Sequence, residues 1–144
     1  MKNLTRIALT LAFMTGFVWA ETITVYKSPT CGCCSEWVKI MEAAGHEVHI
    51  KHPVSLQRTK DKLGVPNQLG SCHTSVINDY VFEGHIPEQD VMAFLANPPE
   101  GARGLAVPGM PANSPGMAAE GVEYSGFNVI GFDDQNKLFL YKKY

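Results

Sequence analysis

Arginine is almost missing beyond the first twenty residues, where only Arg58 and Arg103 occur. No basic run stands outside Lys142-Lys143, so nothing is built to track a phosphate backbone, and nucleic acid is excluded as a partner. The same scarcity argues against a thiol-dependent arsenate reductase, which needs a guanidinium beside its thiol. There is no internal repeat. After residue 20 no apolar run is long enough to span a bilayer. Cysteine is confined to four residues, and three of them fall within Cys31-Gly32-Cys33-Cys34; the fourth is Cys72. A bridge between the neighbours Cys33 and Cys34 would be strained, because disulfides need well-separated Cα atoms and converging Cβ vectors. Thiols crowded in this way suit two tasks better than stapling: holding a soft metal ion, or passing electrons. A disulfide-stapled interaction domain, with three possible pairings of four cysteines, stays open as the plainer alternative.

The first twenty residues have the form of an export signal. Lys2 and Arg6 give a positive start, Ile7 to Trp19 is apolar with few breaks, and Val18-Trp19-Ala20 supplies small residues where a signal peptidase reads. The expectation is a signal peptide over 1–20, with an uncleaved anchor as the rival, and one domain over 21–144. Loss of Lys2 and Arg6 takes the formal charge from −2 to −4, a mildly acidic chain with no membrane attachment of its own. Export places the thiols in an oxidising space, where a metal or a reducing partner must protect them.

The element order reads as α/β. Thr22 to Tyr26 is a strand by its β-branched and aromatic content. A helix follows, with Thr30 as N-cap, Trp37, Ile40, Met41 and Ala44 on one face, and Gly45 as the stop. Glu47 to Ile50 is the next strand, closing a right-handed β-α-β unit. Leu56 to Leu63 is a short charged helix ended by Gly64 and Pro66. Ser75–Ile77 and Tyr80–Glu83 form a hairpin through Asn78-Asp79. A third helix begins at Pro87, buries Val91, Phe94 and Leu95, and ends at Pro98-Pro99. This order resembles the thioredoxin fold, a three-layer α/β domain. Gly101 to Gly121 is rich in Gly, Pro, Ala and Ser without a period and reads as a long loop. Phe127–Phe132 and Lys137–Tyr141 read as a closing hairpin, so the domain ends in a loop and hairpin extension.

The thiol chemistry follows from place. Cys31, Cys33 and Cys34 fall in the first turn of a helix, where free amides and the macrodipole favour thiolate. Cys34 shares a face with Trp37 and Met41 and points to the core; Cys31 and Cys33 are the accessible pair. In a thioredoxin-like arrangement the segment of Cys72 passes the start of that helix, so four sulfurs converge at one end of the sheet. The hairpin returns to the same end through Glu83-Gly84-His85, making His85 a further ligand. His73 is as readily a plain hydrogen-bonded residue. Met110 and Met117 sit in the Gly/Pro-rich loop rather than on an apolar stripe, and thioethers suit Cu(I). His46, His49 and His52 read as surface residues. The candidate metal ligands are therefore Cys31, Cys33, Cys34, Cys72, His85, Met110 and Met117. These are more donors than one tetrahedral ion needs, which points to several Cu(I) ions bridged by thiolates.

With these residues in view the chain resembles the CopG family of periplasmic copper-resistance proteins, long catalogued as a domain of unknown function. The resemblance rests on Y-K-S-P-T-C-G-C-C at Tyr26 to Cys34, S-C-H-T at Ser71 to Thr74, E-G-H-I-P at Glu83 to Pro87, G-L-A-V-P-G-M-P at Gly104 to Pro111 and S-P-G-M at Ser114 to Met117. It covers nearly all of 21–144. It implies a thioredoxin-like, periplasmic protein that binds copper through its cysteines and serves copper tolerance. Interconversion of Cu(I) and Cu(II) is a physically reasonable added role. Copper ions are the expected partners, with other periplasmic copper carriers or efflux components beside them. The rival is a periplasmic thiol-disulfide oxidoreductase in which Cys31 attacks and Cys34 resolves.

Overall fold

The computed structural model describes residues 20–144; the expected signal peptide lies outside the described residues except for Ala20. Alternating apolar residues make β1 (Thr22–Lys27), with Ile23, Val25 and Lys27 turned inward. Helix α1 (Gly32–Ala43) buries Cys34, Trp37, Val38 and Met41 at helical spacing and crosses back to β2 (Glu47–Lys51). Its N-cap is Cys31 rather than Thr30, and no side chain caps it. The hydroxyls of Ser28 and Thr30 bond each other instead, 3.1 Å apart.

Helix α2 (Leu56–Leu63) is capped by Ser55, whose hydroxyl accepts from the Arg58 amide, and is closed by Gly64. A 3-10 turn at Asn67–Leu69 leads to β3 (His73–Ile77) and β4 (Tyr80–Glu83). Asn78 and Asp79 both take positive φ, 47° and 69°, the backbone of a tight hairpin turn. Helix α3 (Glu88–Ala96) follows, with Pro87 at its N-cap. The last three strands are β5 (Ala102–Ala106), β6 (Asn128–Asp133) and β7 (Leu138–Lys143).

The result is a mixed α/β architecture: one seven-stranded sheet, order β2-β1-β3-β4-β5-β6-β7, and three α-helices. Strands β1 and β2 run parallel, as do β4 and β5; the other neighbours are antiparallel. Apolar clusters lie on both faces. One joins Trp37, Val38, Met41, Val91 and Phe94 of α1 and α3 to Ile23, Val25, Phe82, Leu105 and Val129 of the sheet. The other packs Val65 and Leu69, beyond the end of α2, on Val81, Ala106 and Phe132. Full burial of each such large side chain contributes about 1.5–3 kcal/mol, so the core does not rest on the thiols.

The expected loop over Gly101–Gly121 is corrected at its start, because Ala102–Ala106 is a central strand. Its sequence, with Arg103 and three small residues, hides this. Gly104 is required by contact: a Cβ there would meet the Val81 carbonyl, in the strand alongside, at 1.7 Å. The remainder, from Val107 onward, holds no further helix or strand until β6.

Candidate metal centre

The register of the sheet sets the site. Lys27 at the end of β1 faces His73 at the start of β3. The chain leaving β1 enters the cysteine-bearing turn, and the chain entering β3 carries Cys72, so both thiol segments lie at one sheet end. The sulfurs of Cys31, Cys33, Cys34 and Cys72 lie within 4.8 Å of one another. A second set shares two of them: donor atoms of Cys34, Cys72, His73 and His85 meet the same limit. Cys34 is fully buried, while Cys31, Cys33 and Cys72 are half-buried.

Cys31 and Cys34 form a disulfide, and Cys33 and Cys72 are free. This corrects the reading that thiols so crowded suit other tasks better than bridging, and it is the pairing that the oxidoreductase alternative requires. The argument holds for adjacent cysteines, but one turn of helix start sets Cys31 and Cys34 at a Cα separation of 5.4 Å, within the usual range. The Cys33 sulfur is 3.6 Å from that of Cys31. Burial, then the neighbouring Cys33, pushes the Cys72 thiol up to about 12. A metal must therefore displace its proton.

Two imidazoles complete the inner wall. The Cys72 sulfur is 3.3 Å from His85 Nε2 and 3.6 Å from His73 Nδ1. Both rings are fully buried. Burial lowers His85 from its usual 6.5 to about 4. Burial and then the adjacent His85 hold His73 well below its usual value. Trp37 ties the wall together: its indole N–H donates to the Ile86 carbonyl at 2.8 Å, and its ring packs 4.6 Å from that of His73. The fully buried Glu83 fixes the Cys72 strand. It accepts from the Ser71 amide and the Thr74 hydroxyl, each at 2.6 Å, and from the Lys60 ammonium.

The Gly/Pro-rich segment closes over this end. Ser71 bridges to Gly109, and its hydroxyl donates to the Gly109 carbonyl, which brings the neighbour of Met110 beside the Cys72 segment. Gly116, at φ +80°, lies so close to α1 that a Cβ would meet the Cys33 carbonyl at 2.6 Å and the Trp37 amide at 2.8 Å. The chain thus brings Cys31, Cys33, Cys34 and Cys72 together and sets His85 beside Cys34 and Cys72. Met110 is exposed and Met117 half-buried, each one residue from a point of contact with the thiol segments.

The site contains a histidine that sequence reasoning did not select. His73 joins the donors; the S-C-H-T run beside Cys72 was its only signal. The surface reading fails for His46, which is buried. It accepts from the Glu21 amide at 3.2 Å and reaches Glu88 at 3.0 Å, a partner far along the chain. His49 and His52 are exposed.

Two solved structures named as copper resistance protein CopG, form 2 and form 1, resemble the chain closely. They give TM-scores of 0.80 and 0.79 at 34% identity, each covering 88% of this chain and 99% and 98% of the other. The chain belongs to the CopG family. Residues 69–117, which hold Cys72, His73, His85 and both loop methionines, also match the family described as protein of unknown function, DUF411. No curated protein matches the chain. No helix among the described residues is long and apolar enough to cross a membrane.

Two outcomes follow from the buried wall. His73 and His85 stay neutral when folded and gain protons near 6.5 when unfolded, so below that pH the unfolded state binds more protons. Stability of the metal-free protein therefore falls as pH drops from about 6.5 towards about 4, read as a declining urea midpoint; His85→Gln makes the decline shallower. Lys60→Met leaves Glu83 buried without its cation and costs about 3–5 kcal/mol in urea unfolding at neutral pH. Lys60→Met with Glu83→Gln recovers part of that loss.

Proposed function

We propose that the chain is an exported copper-binding protein of copper resistance, holding Cu(I) through Cys31, Cys33, Cys34 and Cys72. His85 and the thioethers of Met110 and Met117 act as further donors. The observation that carries this reading is the meeting of four sulfurs from two distant stretches at one sheet end. Soft thiolates suit Cu(I), and membership of a family with copper-resistance members supports the cargo. Four thiolates in reach of one another favour several ions bridged by sulfur over a single one. The strand order β2-β1-β3-β4 supports a thioredoxin-like core, with β5 to β7 and the intervening loop as its extension. The leader over 1–20 supports a periplasmic location, with copper carriers or efflux components as exchange partners.

The Cys31–Cys34 disulfide sets an order of events. Two electrons must open it before both sulfurs ligate as thiolates. Copper loading and thiol redox state are then coupled, and interconversion of Cu(I) and Cu(II) is a natural extension of that coupling. The same disulfide favours a second reading, a thiol-disulfide oxidoreductase in which Cys31 is attacked or attacks and Cys34 resolves. A stable mixed disulfide trapped by Cys34→Ser on a protein substrate supports that reading.

Anaerobic titration of the reduced protein with Cu(I) against a competing chelator, followed by native mass spectrometry, is expected to give more than one copper per chain. Cys31→Ser and Cys72→Ser each lower the copper number while the circular dichroism spectrum is kept. A ceiling of one copper removes the cluster, and copper uptake unaffected by either change removes the site. The double variant Met110→Ala, Met117→Ala weakens Cu(I) retention by about 10-fold without abolishing it. Unchanged affinity and transfer would take the loop out of the centre.

A further inference from the structure

The sheet ends in two edge strands, β2 and β7, and they are built differently. β7 carries Lys142-Lys143 with no acidic residue in the strand to face them. Lysine on an edge discourages pairing with another strand. β2 reads Glu47-Val48-His49-Ile50-Lys51: a negative end, a positive end, and an apolar residue on each side of the centre. Ile50 is 45% exposed, an apolar side chain left beside an open edge. Among the described residues no carboxylate pairs with the Lys51 ammonium, and Glu47 has only the exposed His49, 3.3 Å away.

The backbone of β2 fixes how another strand could join it. The Glu47 amide donates to the Glu21 carbonyl at 3.0 Å, so Glu47, His49 and Lys51 turn their backbone groups to β1. Val48 and Ile50 turn theirs outward, where no described residue bonds them. A second copy laid antiparallel satisfies these groups only where outward residues face outward residues. Centring the pair on His49 does this. Val48 then exchanges hydrogen bonds with Ile50 of the second copy, and Glu47 faces its Lys51 at the closer, non-hydrogen-bonded positions. Opposite charges placed directly across a ladder are stabilising. A slip of two residues sets Glu47 against His49, or His49 against Lys51, and loses both ion pairs. A slip of one aims the outward groups at backbone that β1 already occupies.

We infer that β2 is a self-docking edge, on which two copies of the chain pair β2 to β2, antiparallel about His49, in a two-fold dimer. Backbone hydrogen bonds, reciprocal Glu47–Lys51 pairs and Val48–Ile50 contacts join the copies. The contact is isologous, so it closes at two copies and leaves no β2 edge to propagate. An edge of 5 residues is small beside a standard interface, so the dimer is weak and forms at high concentration. Because β2 runs parallel to β1, the thiol ends of the copies lie at opposite ends of the joined sheet. No thiol or candidate metal ligand takes part, so this dimer stands or falls apart from the copper reading.

The protein is freed of metal and kept in a phosphine reductant, so that Cys33 and Cys72 cannot bridge copies. Sedimentation from about 10 µM to about 1 mM is expected to show a reversible monomer–dimer equilibrium. Lys51→Glu and Glu47→Lys each weaken association by at least about 10-fold, because every attractive pair becomes a like-charge pair. The double variant Glu47→Lys, Lys51→Glu recovers wild-type association, and an equal mixture of the two single variants forms the mixed dimer. Ile50→Pro, which removes only an outward amide, gives a monomer with an unchanged circular dichroism spectrum. Amide exchange needs no variant: Val48 and Ile50 slow as concentration rises, whereas Glu47 and His49, already bonded to β1, do not change. A chain that stays monomeric throughout overturns the inference. So does a dimer indifferent to both charge reversals, or failure of the folded double variant to recover. Concentration-dependent protection on β7 in place of β2 overturns it too, by assigning the contact to the other edge.

Discussion

The pairing of Lys27 with His73 is the constraint on which the rest depends. It lays the end of β1 against the start of β3 in antiparallel register. A shift of one residue would turn His73 to the opposite sheet face, because side chains alternate along a strand. With the register held, two stretches that are distant in sequence are forced to deliver their sulfurs to one place. The β4 strand then returns His85 to the same end through pairing of Thr74 with Glu83. The centre is therefore a property of strand order before it is a property of any cysteine.

Holding that register takes buried polarity. Glu83 is a fully buried carboxylate whose acceptors are filled by an ammonium, a hydroxyl and a backbone amide. A buried pair of this kind is weak evidence for net stability against an apolar alternative. What it supplies is position: the amide it grips belongs to Ser71, one residue before Cys72. On the opposite flank, the indole of Trp37 bonds the backbone one residue after His85. The two sulfur- and nitrogen-bearing loops are thus pinned from outside by groups that need not touch an ion. This arrangement holds the donors near one another in the absence of cargo.

Local patterns carried much of this fold. The apolar spacing of Trp37 and Met41, the Asn78-Asp79 turn and the Pro87 start each specify an element from neighbouring residues alone, and each stands where its pattern puts it. Strand β5 could not be read in this way. Arg103 and Gly104 spoil its alternation, and its identity comes from β4 and β6 on either side, with Gly104 pressed on the Val81 carbonyl. The site divides similarly. The sulfurs and His85 were visible from spacing and topology. His73 was not, since nothing local says which way a residue at a strand entrance turns. His46 was hidden by a partner on another helix. The Cys31–Cys34 bridge entered only through the oxidoreductase alternative, although the separation across a helix start is well suited to one.

Trp37 has a consequence for how the molecule can be watched. It is the only indole among the described residues, it is wholly buried, and its ring lies against that of His73. Its emission therefore arises beside the donor wall, with no second fluorophore of its kind there to dilute it. Heavy or redox-active ions quench excited indoles at short range. The protein carries an internal lamp next to its own donor cluster, and loading and exchange there can be followed in real time without a dye.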